Sequence, residues 1–206
     1  MKKILITAAL LILVLNGCGI RSISDSGYNY YGHSSIYRGE LSEFDVLGIN
    51  AGKEYTEEQI SDELNRKKEQ ITLKKGDSVL LVQSGAIMPD EEMIQSMERY
   101  FSISVFTGIP EEKKGTNFSY SNSLRYSAAK AGIKKIFVYW GILESGTRNL
   151  ATKTVSWVPI IGQGIPDESQ EMRIRLKVAL VDVKTGQWEI FIPEVFHDSA
   201  SSARAN

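Results

Sequence analysis

Ser78-Val79-Leu80-Leu81-Val82-Gln83, introduced by Gly76-Asp77, is the stretch on which the fold turns. A short, nearly continuous apolar run of strand length marks a strand buried on both faces, as in a sheet covered by helices. The loop Ser84-Gly85-Ala86-Ile87-Met88-Pro89 follows it. Asp90 is then placed to cap a helix, with Glu91 and Glu92 in the first turn where the dipole favours them. Met93, Ile94, Met97, Tyr100 and Phe101 recur on one helical face, and Ser102 to Phe106 reads as a second strand. This strand–helix–strand unit predicts a right-handed parallel crossover.

Downstream, the polar loop Thr107 to Tyr120 leads to a helix carrying Leu124, Ala128, Ala129 and Ala131. Ser121 or Asn122 is expected to cap it, and Gly132 suits its C′ position. Lys134 to Gly141 is the third strand, which makes a second crossover. Thr152 to Val158 alternates weakly and reads as a strand; Pro159 to Glu168 is a Gly/Pro loop carrying isoleucines. Met172 to Val183 alternates well, Lys184-Thr185-Gly186-Gln187 turns, and Trp188 to Ile192 returns as an antiparallel partner. After Pro193 the chain becomes Ser/Ala-rich, without the closing helix such a layout carries, and is expected to fray. The fold class is α/β: β-α-β-α-β crossovers followed by an antiparallel hairpin.

Upstream, Thr56 and Gln59 form a capping box, with Tyr55 and Ile60 placed as a hydrophobic staple. The helix is expected to reach about Gln70, with Ile60, Leu64 and Ile71 as its apolar stripe. Gly19 to Arg38 is rich in Ser, Gly and Tyr and lacks a period. It reads as a flexible tether. Its aromatic cluster has three candidate seats: the membrane interface, a partner, or its own domain.

At the N-terminus, Lys2 and Lys3 precede the apolar run Ile4 to Leu15. That is a secretory signal pattern. The run is short for a membrane span, which needs roughly 20 residues. Leu15-Asn16-Gly17-Cys18 resembles the lipobox of bacterial lipoproteins, with Leu15, Gly17 and Cys18 in the defining positions and Asn16 a departure. The resemblance implies a lipid on Cys18, cleavage before it, and membrane attachment.

Composition narrows the chemistry. The chain has 24 basic and 25 acidic residues, and loss of Lys2 and Lys3 leaves it slightly more acidic. No basic footprint points to nucleic acid. Cys18 is the single cysteine, so its lipidation excludes disulfides, cysteine-ligated zinc and a cysteine nucleophile. His33 and His197 are the only histidines. Phosphate-loop, dinucleotide, Gly-x-Ser-x-Gly and His-Glu-x-x-His motifs are absent. A hydrolase would have to assemble Ser84 at a strand end with His197 as base, or use scattered acids such as Glu111-Glu112 and Asp167-Glu168. No cofactor or metal is expected.

Leu180-Val181-Asp182-Val183-Lys184-Thr185-Gly186, with its flanking strands, resembles the hairpin of envelope lipoproteins with a TolB-N-like domain. The curli secretion lipoprotein and the lipoprotein activators of penicillin-binding proteins belong to that group. Ala128 to Val138 and the Val79-to-Val82 unit resemble the group's other elements. The resemblance covers roughly residues 76–192 and implies a mixed sheet and a non-enzymatic role in assembling, secreting or activating envelope machinery.

These readings divide the chain into a signal peptide (1–17), a lipidated Cys and tether (18–40), a single α/β domain (41–195) and a frayed tail (196–206). The expected function is a non-catalytic, membrane-anchored lipoprotein that binds or helps assemble an envelope protein partner. The alternative is an envelope hydrolase, peptidase or glycan-cleaving. Gly19 after Cys18, in place of the Asp of inner-membrane retention, points to the outer membrane, facing the periplasm. Trp157, Ile160, Ile161 and Ile165, large apolar residues among glycines and prolines, are the candidate partner-binding residues. Self-association is the second kind of partner left open.

Overall fold

The structure is a computed structural model of the 206-residue chain. It describes residues 19–25, 37–66, 70–110, 119–149 and 166–203. In order these form β1 (Gly19–Ser22), α1 (Glu43–Leu47), α2 (Glu57–Asn65), β2 (Ser78–Gln83), α3 (Glu91–Glu98), β3 (Ser102–Phe106), α4 (Tyr120–Lys130), β4 (Lys135–Asn149), β5 (Pro166–Asp182), β6 (Trp188–Phe191) and β7 (Phe196–Ala203). The strands form a mixed sheet of order β3-β2-β4-β5-β6, with β1 pairing β4 and β7 pairing β5. The α/β class expected from the sequence is the one observed. Two compact units divide the chain, one of Ser22–Gly141 with Leu176–Pro193, the other of Met1–Arg21, Ile142–Arg175 and Glu194–Asn206.

In the larger unit β2 is the axis. Val79 to Val82 are all buried, as the apolar run requires. β2 runs parallel to β3 on one side (Val79↔Ile103) and to β4 on the other (Val79↔Lys135). The two crossovers therefore leave in opposite directions. With one common hand, that places their helices on opposite faces of the sheet. The packing agrees: α4 sets Leu124 and Ala128 against Leu80, Val82, Ile136 and Val138. α3 sets Met93, Ile94 and Met97 against Val79, Leu81, Phe137 and Tyr139.

The hairpin closes the unit. Val183 N–H donates to Lys134 O, while a Cβ on Gly141 would meet Leu176, so β4 and β5 run antiparallel. β6 returns antiparallel to β5, pairing Val181 with Trp188 and Val178 with Phe191. Asp182 builds the turn. Its carboxylate accepts from Thr185 N–H (2.8 Å) and Thr185 Oγ1 (2.9 Å), and pairs with Lys135 Nζ (2.7 Å). Partial burial works to raise that carboxyl, but the bonds from Lys135 and Thr185 prevail and bring it down to about 2. Gly186 takes the left-handed conformation that completes the turn (φ 72°). Arg125 of α4 clamps it from outside, Nε donating to Val183 O (2.9 Å) and Nη2 to Lys184 O (3.1 Å).

In the smaller unit the first half of β5 pairs with β7, from Ile174↔Phe196 to Pro166↔Ala203, with a register shift at Pro166/Glu168. Glu144 on β4 binds both Arg173 and Arg175 of β5.

Several local expectations change. Gly19–Ser22, read as part of a tether, is a strand, because β4 supplies its ladder. Residues 196–203, read as a frayed tail, are strand β7 for the same reason. Two contact units stand where one α/β domain was read. The capping box on Thr56 is present, but α2 ends at Asn65, and Tyr55 and Ile60 are both exposed. Ser119 rather than Ser121 or Asn122 caps α4. Gly132 does adopt the positive φ of a C′ residue (φ 73°). Residues 152–158 lie outside the described residues.

Leu81 is fully buried at the centre of the α3 face. Leu81→Ala is expected to lower stability by about 2–5 kcal/mol through lost transfer energy and a residual cavity, measured by urea or thermal unfolding.

Candidate functional site

In open α/β sheets ligands settle in the crevice at the carboxyl ends of the strands where the crossovers diverge. Here that place lies at the ends of β2 and β4, around Gln83, Ser84 and Tyr139. The chain's own N-terminal segment fills it. Tyr139 O–H donates to Gln83 Oε1 (2.6 Å), Gln83 Nε2 donates to Ser24 Oγ (3.1 Å), and Ser24 Oγ donates to Ser84 O. Gln83 Oε1 also accepts from Asp90 N–H (2.6 Å), so the amide joins two strands, the start of α3 and the N-terminal segment. Asp90 thus caps α3 by position only; its side chain makes no capping bond.

A second stretch of the N-terminal region, Tyr37 to Leu41, closes over the same point. Leu41 N–H donates to Ser84 Oγ (2.7 Å) and Trp140 Nε1 donates to Leu41 O (2.8 Å). Gly85 is left-handed (φ 79°), and a Cβ there would stand 2.7 Å from the Tyr37 ring. A Cβ on Gly108 would overlap the Gln83 carbonyl, so the β3 end also approaches backbone to backbone. Lys177 pairs with Glu43 of α1 and lies over the Trp140 ring, 5.7 Å from its centroid. Burial raises the Tyr139 hydroxyl well above its ordinary value, helped by the charge of Asp90. Burial likewise raises the Asp90 carboxyl, with a Gln83 hydrogen bond pulling the other way and Glu92 adding to the rise.

The hydrogen bonds of this arrangement join segments of the chain to one another. Ser84 is buried and its hydroxyl is taken by the Leu41 amide, so it has no open face for a substrate. His197 is an exposed residue of β7, paired in register with Arg173. Among the described residues no group of His, Cys, Asp and Glu is arranged to hold a metal ion. Cys18, Trp157, Ile160, Ile161 and Ile165 lie outside the described residues, as do His33 and Glu111-Glu112.

The exposed apolar surface is elsewhere. Every residue from Asn50 to Arg66 is exposed, α2 included. Ile60 and Leu64 share one face of that helix, and Leu64 is 76% exposed. Glu57, Glu58, Asp62 and Glu63 make the rest of it acidic, with Arg66 pairing Glu63 at 3.3 Å. The sequence showed this stripe but not what it faces. The Ser24–Gln83 linkage had no legible signal, since neither residue belongs to a motif.

A mixed α/β domain whose strand-end crevice is occupied by its own N-terminal segment is the class that fold and site define. Residues 42–206 match the profile of the YafT bacterial lipoprotein family, and the chain belongs to that family. A bacterial lipoprotein is attached to an envelope membrane through lipid, and no helix among the described residues is long and apolar enough to cross one. No curated protein matches the sequence significantly.

Ser24→Ala removes both the acceptor for Gln83 Nε2 and the donor to Ser84 O. It is expected to cost about 1–3 kcal/mol, the penalty for leaving buried polar groups unpaired. Limited proteolysis should show faster cutting within residues 19–25 than in the wild type.

Proposed function

We propose that this lipoprotein is held by a lipid on Cys18 in the outer membrane, faces the periplasm, and binds or helps assemble an envelope protein partner without catalysing a reaction. The lipobox-like Leu15-Asn16-Gly17-Cys18 and the family supply the anchor. The succession of two crossovers and a hairpin supports the TolB-N-like reading, whose members act on envelope machinery. Trp157, Ile160, Ile161 and Ile165 stay candidates for partner contact.

The observation that carries partner binding is α2. A nine-residue helix is below the roughly 12–15 residues that hold marginally in water alone. Its capping box helps, but in ordinary domains a helix is stabilised by burying its apolar face, and this one buries none. A partner that covers Ile60 and Leu64 completes the helix. Its groove would be apolar with a basic rim, opposite Glu57, Glu58, Asp62 and Glu63.

Ile60→Ser with Leu64→Ser is expected to leave the melting temperature within a few degrees of wild type while abolishing partner crosslinks in whole envelopes. A large drop in melting temperature would assign the stripe to the domain's own packing. Intact crosslinks would remove α2 from the interface.

For the anchor, Cys18→Ser should accumulate as an unprocessed precursor that takes up no labelled palmitate, since attachment rests on buried acyl chains. Density-gradient fractionation should place the wild type with the outer membrane; recovery in the inner membrane would overturn the sorting assignment.

A further inference from the structure

β6 ends the strand order of the larger unit, and its outer edge is not blunted. Asp182 N–H donates to Gln187 O, which fixes 182/187 as a hydrogen-bonded pair. Antiparallel ladders alternate bonded and non-bonded pairs. The register therefore makes Leu180/Glu189 and Val178/Phe191 bonded pairs as well. The N–H and C=O of Trp188 and Ile190, and of Ile192 in continuation, consequently point away from β5. Among the described residues no strand pairs with this side of β6.

Natural edges carry an outward Lys, a Pro, a bulge or a covering element. This one carries Trp188, Ile190 and Ile192, all exposed, Ile192 by 70%. Pro193 falls only after them. On the opposite face Phe191 is exposed beside Phe137, and Glu189 is already engaged by the Ile71 amide (3.1 Å).

We propose that β6 joins two copies of this chain edge to edge, antiparallel, about a two-fold axis at Ile190. This register pairs Ile190 with Ile190 and Trp188 with Ile192, and it uses every outward backbone group, about six hydrogen bonds in all by the bonding pattern of antiparallel ladders. Charge selects both the occupant and the register. Centring on Glu189 would set two carboxylates face to face, and a parallel pairing would do the same, whereas the Ile190 axis sets Glu189 opposite Phe191. The antiparallel direction also brings the Lys184 end of each edge toward the Glu194 end of the other. The edge is thus complementary to itself, as an isologous contact requires. The inference is separate from the partner reading of α2 and does not depend on the lipid.

The test is oxidative crosslinking of the full-length chain in membranes. Ile190→Cys is compared with Tyr126→Cys, a more exposed cysteine on α4, off the edge and off α2, and with wild type to account for Cys18. Ile190→Cys should give about tenfold more disulfide dimer than Tyr126→Cys, and adding Ile192→Lys, a charge of the kind that guards natural edges, should suppress it at least about fivefold. Because Ile192 lies past the strand and is exposed, that variant keeps the fold, which circular dichroism checks. Dimer at or below the Tyr126→Cys level overturns the proposal. So does dimer that survives Ile192→Lys, or an Ile190→Cys adduct whose mass is that of another protein.

Discussion

The Gln83 side chain is the constraint on which the larger unit depends. A buried amide has two donors and an acceptor to satisfy, and leaving them unpaired costs more than pairing them gains. Gln83 accepts at Oε1 from Tyr139 of β4 and from the Asp90 amide ahead of α3, and donates from Nε2 to Ser24 of the N-terminal segment. One side chain at the end of the central strand therefore ties β2 and the start of α3 to two segments distant in sequence, β4 and the N-terminal segment. Such a network is strong only when complete, because the low dielectric that strengthens each bond also penalises each gap. Ser24 is what completes it.

That completion has a functional consequence. The opposite directions of the two crossovers, β2 to β3 and β3 to β4, create the kind of crevice that many α/β proteins give to a ligand. Here Ser24, Tyr37 and Leu41 occupy it, fastened by Ser84, Trp140 and the close approach at Gly85. Ser24 and Leu41 of the N-terminal region are consequently bonded to the sheet. The exposed apolar surface lies instead at the periphery, on α2 and the β6 edge among other places.

The sequence was legible where side chains alone determine structure. Val79 to Val82 read as a doubly buried strand because burial on both faces demands an unbroken apolar run. Thr56 with Gln59 and Gly132 with its positive φ read correctly because capping is a local requirement. It was illegible where backbone pairing does the work. β1 and β7 have tether-like composition, and the outer halves of β4 and β5 are polar. Their ladders depend on a neighbouring strand rather than on any pattern of their own. α1 contributes one buried residue, Val46, too little to give a period. The crevice network was hidden for another reason: Ser24 and Gln83 are 59 residues apart, and nothing local marks a serine that will close a distant amide's bonds.

Periodicity also states that a face is apolar without stating what covers it. The stripe of α2 and the alternation of β6 look alike in sequence to the stripe of α4, yet only α4 finds the sheet. The difference lies in position along the topology. α4 connects two parallel strands and must return across the sheet, so its apolar face is laid on the core by the crossover itself. α2 lies on the long link from β1 to β2, two strands that do not pair with each other, and β6 ends the strand order, so no short crossover presses either against the sheet. An apolar surface that connectivity does not bury is buried by association or not at all, and in a chain tied to a membrane surface the available associates are other envelope proteins and copies of itself.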